Sequence, residues 1–251
     1  MLVVLSLILL ILLIIVGKKE GIKTYMCFYL NYFLIFIFMI LISVGFNAII
    51  LSIIICLLVA SVSLFLTRGR NIKTESSFIS IVVVLLFMFF IIFFVGKSAS
   101  IGGFSYESIE AIAGYSYEIN YNMEDVIIGF VLMCTIGTII DTSISISTAL
   151  NEVYLNNKGI QFKELYKSGM NVGKDILSTT INTLFFVFLG GTVGLFFWHY
   201  TDSIEMFINY KALCQELIEL LSCFIGSILV IPITSFITSK KLSKRIDISL
   251  K

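Results

Sequence analysis

Apolar runs of membrane-spanning length constrain this chain more than any other feature. Seven of them, at about 2–16, 26–43, 48–66, 78–95, 126–150, 176–197 and 217–238, take up more than half of its 251 residues. A helix needs roughly 20 predominantly apolar residues to cross a hydrocarbon layer ~30 Å thick. Only helices and closed barrels satisfy their backbone polar groups there. The chain is 59% hydrophobic and 13% charged, against roughly 45–50% and about 25% in soluble domains, so much of its surface has to face lipid. The expected fold class is an all-α integral membrane protein, a polytopic bundle of about seven transmembrane helices forming a single domain over 1–251.

The polar punctuation fits that count. Residues 2–16 resemble a signal-peptide core, but Lys18 and Lys19 follow them rather than precede them, and no small-x-small cleavage site ends them. An uncleaved first helix is expected. The connection Val44, Gly45, Phe46, Asn47 is short enough to make the second and third spans a tight hairpin. Lys and Arg gather in four places: Lys18, Lys19 and Lys23; Arg68, Arg70 and Lys73; Lys158, Lys163, Lys167 and Lys174; and Lys240, Lys241, Lys244, Arg245 and Lys251. Alternation through seven spans puts all four on one side, the cytoplasmic side by the positive-inside rule. The N-terminus is then outside and the C-terminus cytoplasmic. The outer loops 96–125 and 198–216 are acidic instead. Basic clusters confined to short loops are no nucleic-acid surface, so the partner expected first is the lipid bilayer and not DNA or RNA.

Between the spans, the outer loop 96–125 is rich in Gly, Ser and Tyr and suits a short interfacial or re-entrant segment, its tyrosines matching a headgroup-level belt. Residues 159–174 form a basic amphipathic stretch with Phe162, Leu165 and Tyr166 on one side. A separate cytoplasmic helix against the membrane face is expected there.

The chemistry concentrates at Asp141, the one acidic residue in the interior of an apolar run, away from its ends. An Asp near a helix centre costs about 2.5–3.5 kcal/mol on insertion scales, so it normally faces a partner, a cavity or an ion path. As a helix, the fifth span lines up Thr138, Asp141, Ser145, Thr148 and Glu152 on one stripe. The sixth opens with Asp175, Ser178, Thr179, Asn182 and Thr183. The two stripes are expected to face each other, with Asn182 or Thr179 bonding Asp141. Hydroxyls and amides also simply hold membrane helices together, at about 0.6 kcal/mol per contact. With no Lys, Arg or His inside any span to neutralise it, however, Asp141 is the kind of titratable carboxylate that a proton or cation relay needs. Gly190 and Gly194 make a G-x-x-x-G expected to serve helix packing, and Pro232 is expected to kink the seventh span.

Other machinery is missing. Cys27, Cys56, Cys134, Cys214 and Cys223 form no C-x-x-C, and His199 is the only histidine, so neither a metal nor a cofactor is expected. No Ser-His-Asp set, H-E-x-x-H or phosphate loop is present, which leaves an enzyme without its parts.

GTIIDTSISISTALNE followed by FKELYKSGMNVGKDILSTTINTLFFVFLGG resembles the signature region of the YibE/F-like family, multi-pass bacterial membrane proteins of unassigned function. The resemblance implies coverage of roughly 25–240 with the same helix order. Longer members carry an extracytoplasmic domain ahead of the spans. This chain looks like the short member of a pair, which implies a longer YibE/F-like subunit as a membrane partner, or else a homo-oligomer. More distantly, Gly137 and Asp141, Glu152, and Asn182, Thr183 and Leu184 are similar to elements of the SecD/SecF and RND-type exporter membrane halves. There an intramembrane Asp couples proton flow to work. A transport component coupled through Asp141 is therefore expected, with Thr138, Ser145, Thr148, Thr179 and Asn182 along the route. The alternative is a non-transporting scaffold or assembly subunit.

Overall fold

The computed structural model describes residues 1–99, 122–157, 159–198 and 203–249. The Tyr-rich part of the connection 96–125 and His199 lie outside the described residues. Among those described, every regular element is helical: α1 Leu2–Ser43, α2 Ala48–Ser61 running on as a π-helical turn Val62–Leu66, α3 Ile72–Ala99, α4 Met123–Asn156, α5 Phe162–Trp198, a short α6 Ile204–Ile208, and α7 Lys211–Ser249. Five segments are long and apolar enough to cross a membrane: Ala48–Leu66, Ile72–Ala99, Met123–Asn156, Phe162–Phe197 and Lys211–Ser243.

α1 is two arms rather than one rod. Lys18 has φ +48° and ψ −123°, a conformation that L residues other than glycine rarely hold. The chain doubles back there. Ser6 reaches the hydroxyls of Tyr25, at 2.9 Å, and Tyr29 on the other arm. The Leu13 carbonyl lies against Gly21, where a Cβ would not fit. The first two expected spans thus form an antiparallel hairpin. A second tight turn follows, with Gly45 at φ +98°. Asn47 then caps α2, its side chain accepting from the amides of Ile49 and Ile50 at 3.1 Å, the usual remedy for unpaired N–H groups at a helix start. Asn122 does the same for α4, whose first turn carries Glu124 and Asp125 at the positive end of the helix dipole.

α4 is the central helix. Its Ile128, Leu132, Ile136 and Ile139 are buried among Cys56 and Leu64 of α2, Ile81, Leu85 and Met88 of α3, and Val230 of α7. Lipid is as apolar as these side chains, so close packing and hydrogen bonds hold such helices together rather than exclusion of water. Hydroxyls supply the bonds. Ser77 on α3 meets Ser147 on α4 at 2.7 Å, and Ser143 meets Thr234 on α7 at 3.1 Å, all four fully buried.

Two expectations about α5 change. The amphipathic stretch 159–174 and the sixth span are one helix, Phe162–Trp198, because no glycine at positive φ and no proline interrupts the chain between them. The first turns of that helix pack on α7 through Gly169 and Gly173: a Cβ on Gly169 would sit 2.7 Å from the Ser235 hydroxyl and 3.0 Å from Leu150, and one on Gly173 would collide with Ile231. Gly190 and Gly194 have open space where a Cβ would go. The glycine pair that packs helices within this chain is therefore 169/173, not 190/194. At Pro232, α7 continues unbroken. The ring removes one N–H that would have bonded the carbonyl four residues earlier.

Candidate functional site: a groove at Asp141

The faces of α4 have different fates. Ser143 and Ser147 are buried toward α3 and α7 and Thr142 is buried too, whereas Asp141 and Ser145 are exposed. Asp141 opens on a groove of about 330 Å³ lined by Thr24, Cys27 and Asn31 of α1, Ser63, Thr67 and Arg68 at the end of α2, and Ile140 and Ile144 of α4. The π-helical turn Val62–Leu66 forms one wall. Such turns are frequent at functional sites because the widened helix re-aims its side chains.

The groove is polar along its floor. The Asn31 amide donates to Ser63 at 3.0 Å and to the Cys27 sulfur at 3.7 Å. The amide oxygen of Asn31 is buried with no partner, an acceptor at the rim of a site holding a carboxylate. Arg68 donates through Nη1 to Thr148 at 3.4 Å, and its charge acts on Asp141 across the groove. This corrects the expectation that Asp141 has no cation near it. Arg68 lies beyond the apolar end of its span, at Leu66, but an Arg side chain is long enough to reach back along the helix while its head stays polar.

Of the expected route, Thr138, Asp141, Ser145 and Thr148 share one stripe of α4. Thr138 bonds the Thr135 carbonyl at 2.9 Å. The α5 residues do not join them. Thr179 bonds the carbonyl of Ile176 at 2.8 Å, Asn182 is exposed, and neither lines the groove. Gly169 packs beside Leu150, but the groove opens toward α1 and α2 and so turns away from α5. The α5 partners expected for Asp141 thus give way to the charge of Arg68.

Below the groove, charges knit one end of the bundle together. Lys73 pairs with Glu152 at 3.2 Å, and Glu75 takes Arg70 at 2.9 Å and Lys241 at 3.6 Å. Members of two basic clusters thereby meet at the same end as the close of α4. Among the described residues no His, Cys, Asp and Glu group could hold a metal ion.

The hydroxyl ladder Ser77, Ser143, Ser147 and Thr234 is not part of the stripe read from sequence. Its signal was present in the doublets Ser76-Ser77 and Thr234-Ser235, which put hydroxyls on the α3 and α7 faces that turn inward.

No curated protein and no solved structure matches the chain, so the SecD/SecF and RND-type likeness rests on the sequence alone. The family model described as YibE/F-like protein does match, over residues 5–244. That interval takes in both α1 arms, the groove, the hydroxyl ladder and nearly all of α7, and the chain accordingly belongs to the YibE/F-like family.

Proposed function

We propose that this protein is a transport component of the bacterial cytoplasmic membrane in which Asp141 takes and releases a proton or cation. The observation that carries the reading is a carboxylate open to a polar groove in the middle of a helix long and apolar enough to span, opposite one guanidinium and one unpaired amide oxygen. A carboxylate sealed in an ion pair could not exchange its proton, and one fully in water would need no such site. The two α1 arms with the five longer segments support seven spans. The convergence of Arg70, Lys73 and Lys241 at one end supports that end as cytoplasmic, with the N-terminus outside. Purified protein in vesicles with an imposed pH or cation gradient tests the coupling. Wild type should dissipate the gradient and Asp141→Asn should not; equal traces for the two would end the reading.

A second reading, a non-transporting assembly subunit, draws on α5. One face of its outer half, with Phe186, Gly190, Val193, Gly194 and Phe197, is exposed, and among the described residues nothing lies within 4 Å of a Cβ at Gly190 or Gly194. A longer YibE/F-like subunit or a second copy would cover it. Under that reading Gly190→Leu abolishes co-purification of the partner while Asp141→Asn leaves function intact.

A further inference from the structure

α7 begins at Lys211, which places Glu219 more than two turns inside a candidate span. The apolar run 217–238 places it only two residues from the start of its segment. Asp141 is therefore not the only carboxylate within a spanning helix. Glu219 is only partly exposed, and its Oε2 accepts from the Cys134 thiol of α4 at 3.5 Å. One turn further along α7, Cys223 is buried on the side facing Thr138 of α4. Cys134, Thr138 and Asp141 follow each other at steps of four and three on α4, the spacing that stacks side chains on one helix face. The polar stripe thus extends past Asp141, away from the Arg70–Glu75–Lys241 end, and terminates at a second carboxylate. Glu216, one turn beyond, is exposed.

We propose that Glu219 is the second proton station of the path that Asp141 serves, so that the transported or coupling ion is a proton. The inference rests on the transport reading above. Thiols and hydroxyls both donate and accept single protons, and they are poor ligands for an alkali cation compared with carbonyls and carboxylates. In the transfer, the O–H bond of protonated Glu219 breaks and a new O–H bond forms on the Asp141 carboxylate. The thiols and the Thr138 hydroxyl each accept one proton and release one, and end unchanged. Neighbouring stripe positions lie about 5–6 Å apart at Cβ, so the final step from Thr138 to Asp141 is of a length one bridging water closes. Among the described residues, the titratable groups around Glu219 are Cys134 on α4 and Glu216 and Cys223 on α7.

The experiment compares wild type, Glu219→Gln, Glu219→Asp, Glu216→Gln and Asp141→Asn in vesicles, recording proton flux per reconstituted molecule with a pH dye as the pH on the Glu219 side is varied. Glu219→Gln should lose at least tenfold of the flux and its response to pH on that side. Glu219→Asp should recover part of both, and Glu216→Gln should behave as wild type. Flux per molecule that is unchanged in Glu219→Gln while Asp141→Asn is inactive would overturn this inference and leave the transport reading standing. If Glu219→Gln accumulates poorly, Glu219→Asp decides: a changed accumulation with unaltered flux per molecule and pH response means a structural role, which also overturns it. Wild-type flux in Asp141→Asn as well would remove both.

Discussion

Asp141 and Ser143 sit two positions apart on α4 and do opposite work. Ser143 is buried and bonded to Thr234 at 3.1 Å, so Ser143→Val strands a hydroxyl on α7 and should cost about 1–3 kcal/mol. Ser145→Val, on the exposed side, should stay within about 0.5 kcal/mol. Thermal unfolding of the two variants in one detergent checks the difference. Asp141→Asn keeps shape and polarity and should accumulate normally, whereas Asp141→Lys brings a second cation to Arg68 and should not; membrane-fraction immunoblots read this directly. The assignment was half legible. In the run DTSISIST nearly every face of the helix bears a hydroxyl, so the sequence locates a polar span without saying which hydroxyls turn inward. Only the position of α3 and α7 decides that. The cation near Asp141 was hidden for a different reason: Arg68 lies outside its apolar segment, and hydropathy windows discard the reach of a long side chain.

Helices were more legible than their ends. The apolar runs 48–66, 78–95, 126–150, 176–197 and 217–238 each lie within one observed helix. Their limits differ because a polar turn in a helix costs little and hydropathy ends a segment where polarity begins. Lys174 and Asp175 interrupt the apolar pattern of α5 but not its backbone. The consequence is testable in the packing. Gly169→Leu and Gly173→Leu force a side chain into Ser235 and Ile231 of α7 and should destabilise by about 1–3 kcal/mol or more, as overpacked cores do. Gly190→Leu and Gly194→Leu enter open space and should leave the melting temperature of the isolated protein unchanged. Equal losses at the two pairs would mean that the outer half of α5 packs within the chain after all.

At the scale of the whole molecule, the basic residues constrain what the helices alone leave open. Five long segments fit a membrane crossing by length and composition, and the two α1 arms, joined at Lys18, either both cross or both remain on one side. The first arm, Leu2 to Gly17, is 16 residues by the ends of its helix, about 24 Å at 1.5 Å per residue, short of the ~30 Å hydrocarbon core but within reach where the bilayer thins. If both arms cross, the Lys18 turn and the Asn157 loop share the cytoplasmic side, and Asn209 and the N-terminus share the other. Single cysteines at positions 3, 19, 157 and 209, in a background without the native thiols, should then react with an impermeant maleimide from outside at 3 and 209 only. If 3 and 19 both react from the same side while 157 and 209 keep opposite sides, the α1 hairpin is re-entrant and the count falls to five. If 157 reacts from outside, the placement of every basic cluster is reversed, and the end where Lys73 meets Glu152 would face away from the cytoplasm. The accessibility of position 19 thus decides the span count and that of position 157 the orientation, independently of any assay of transport.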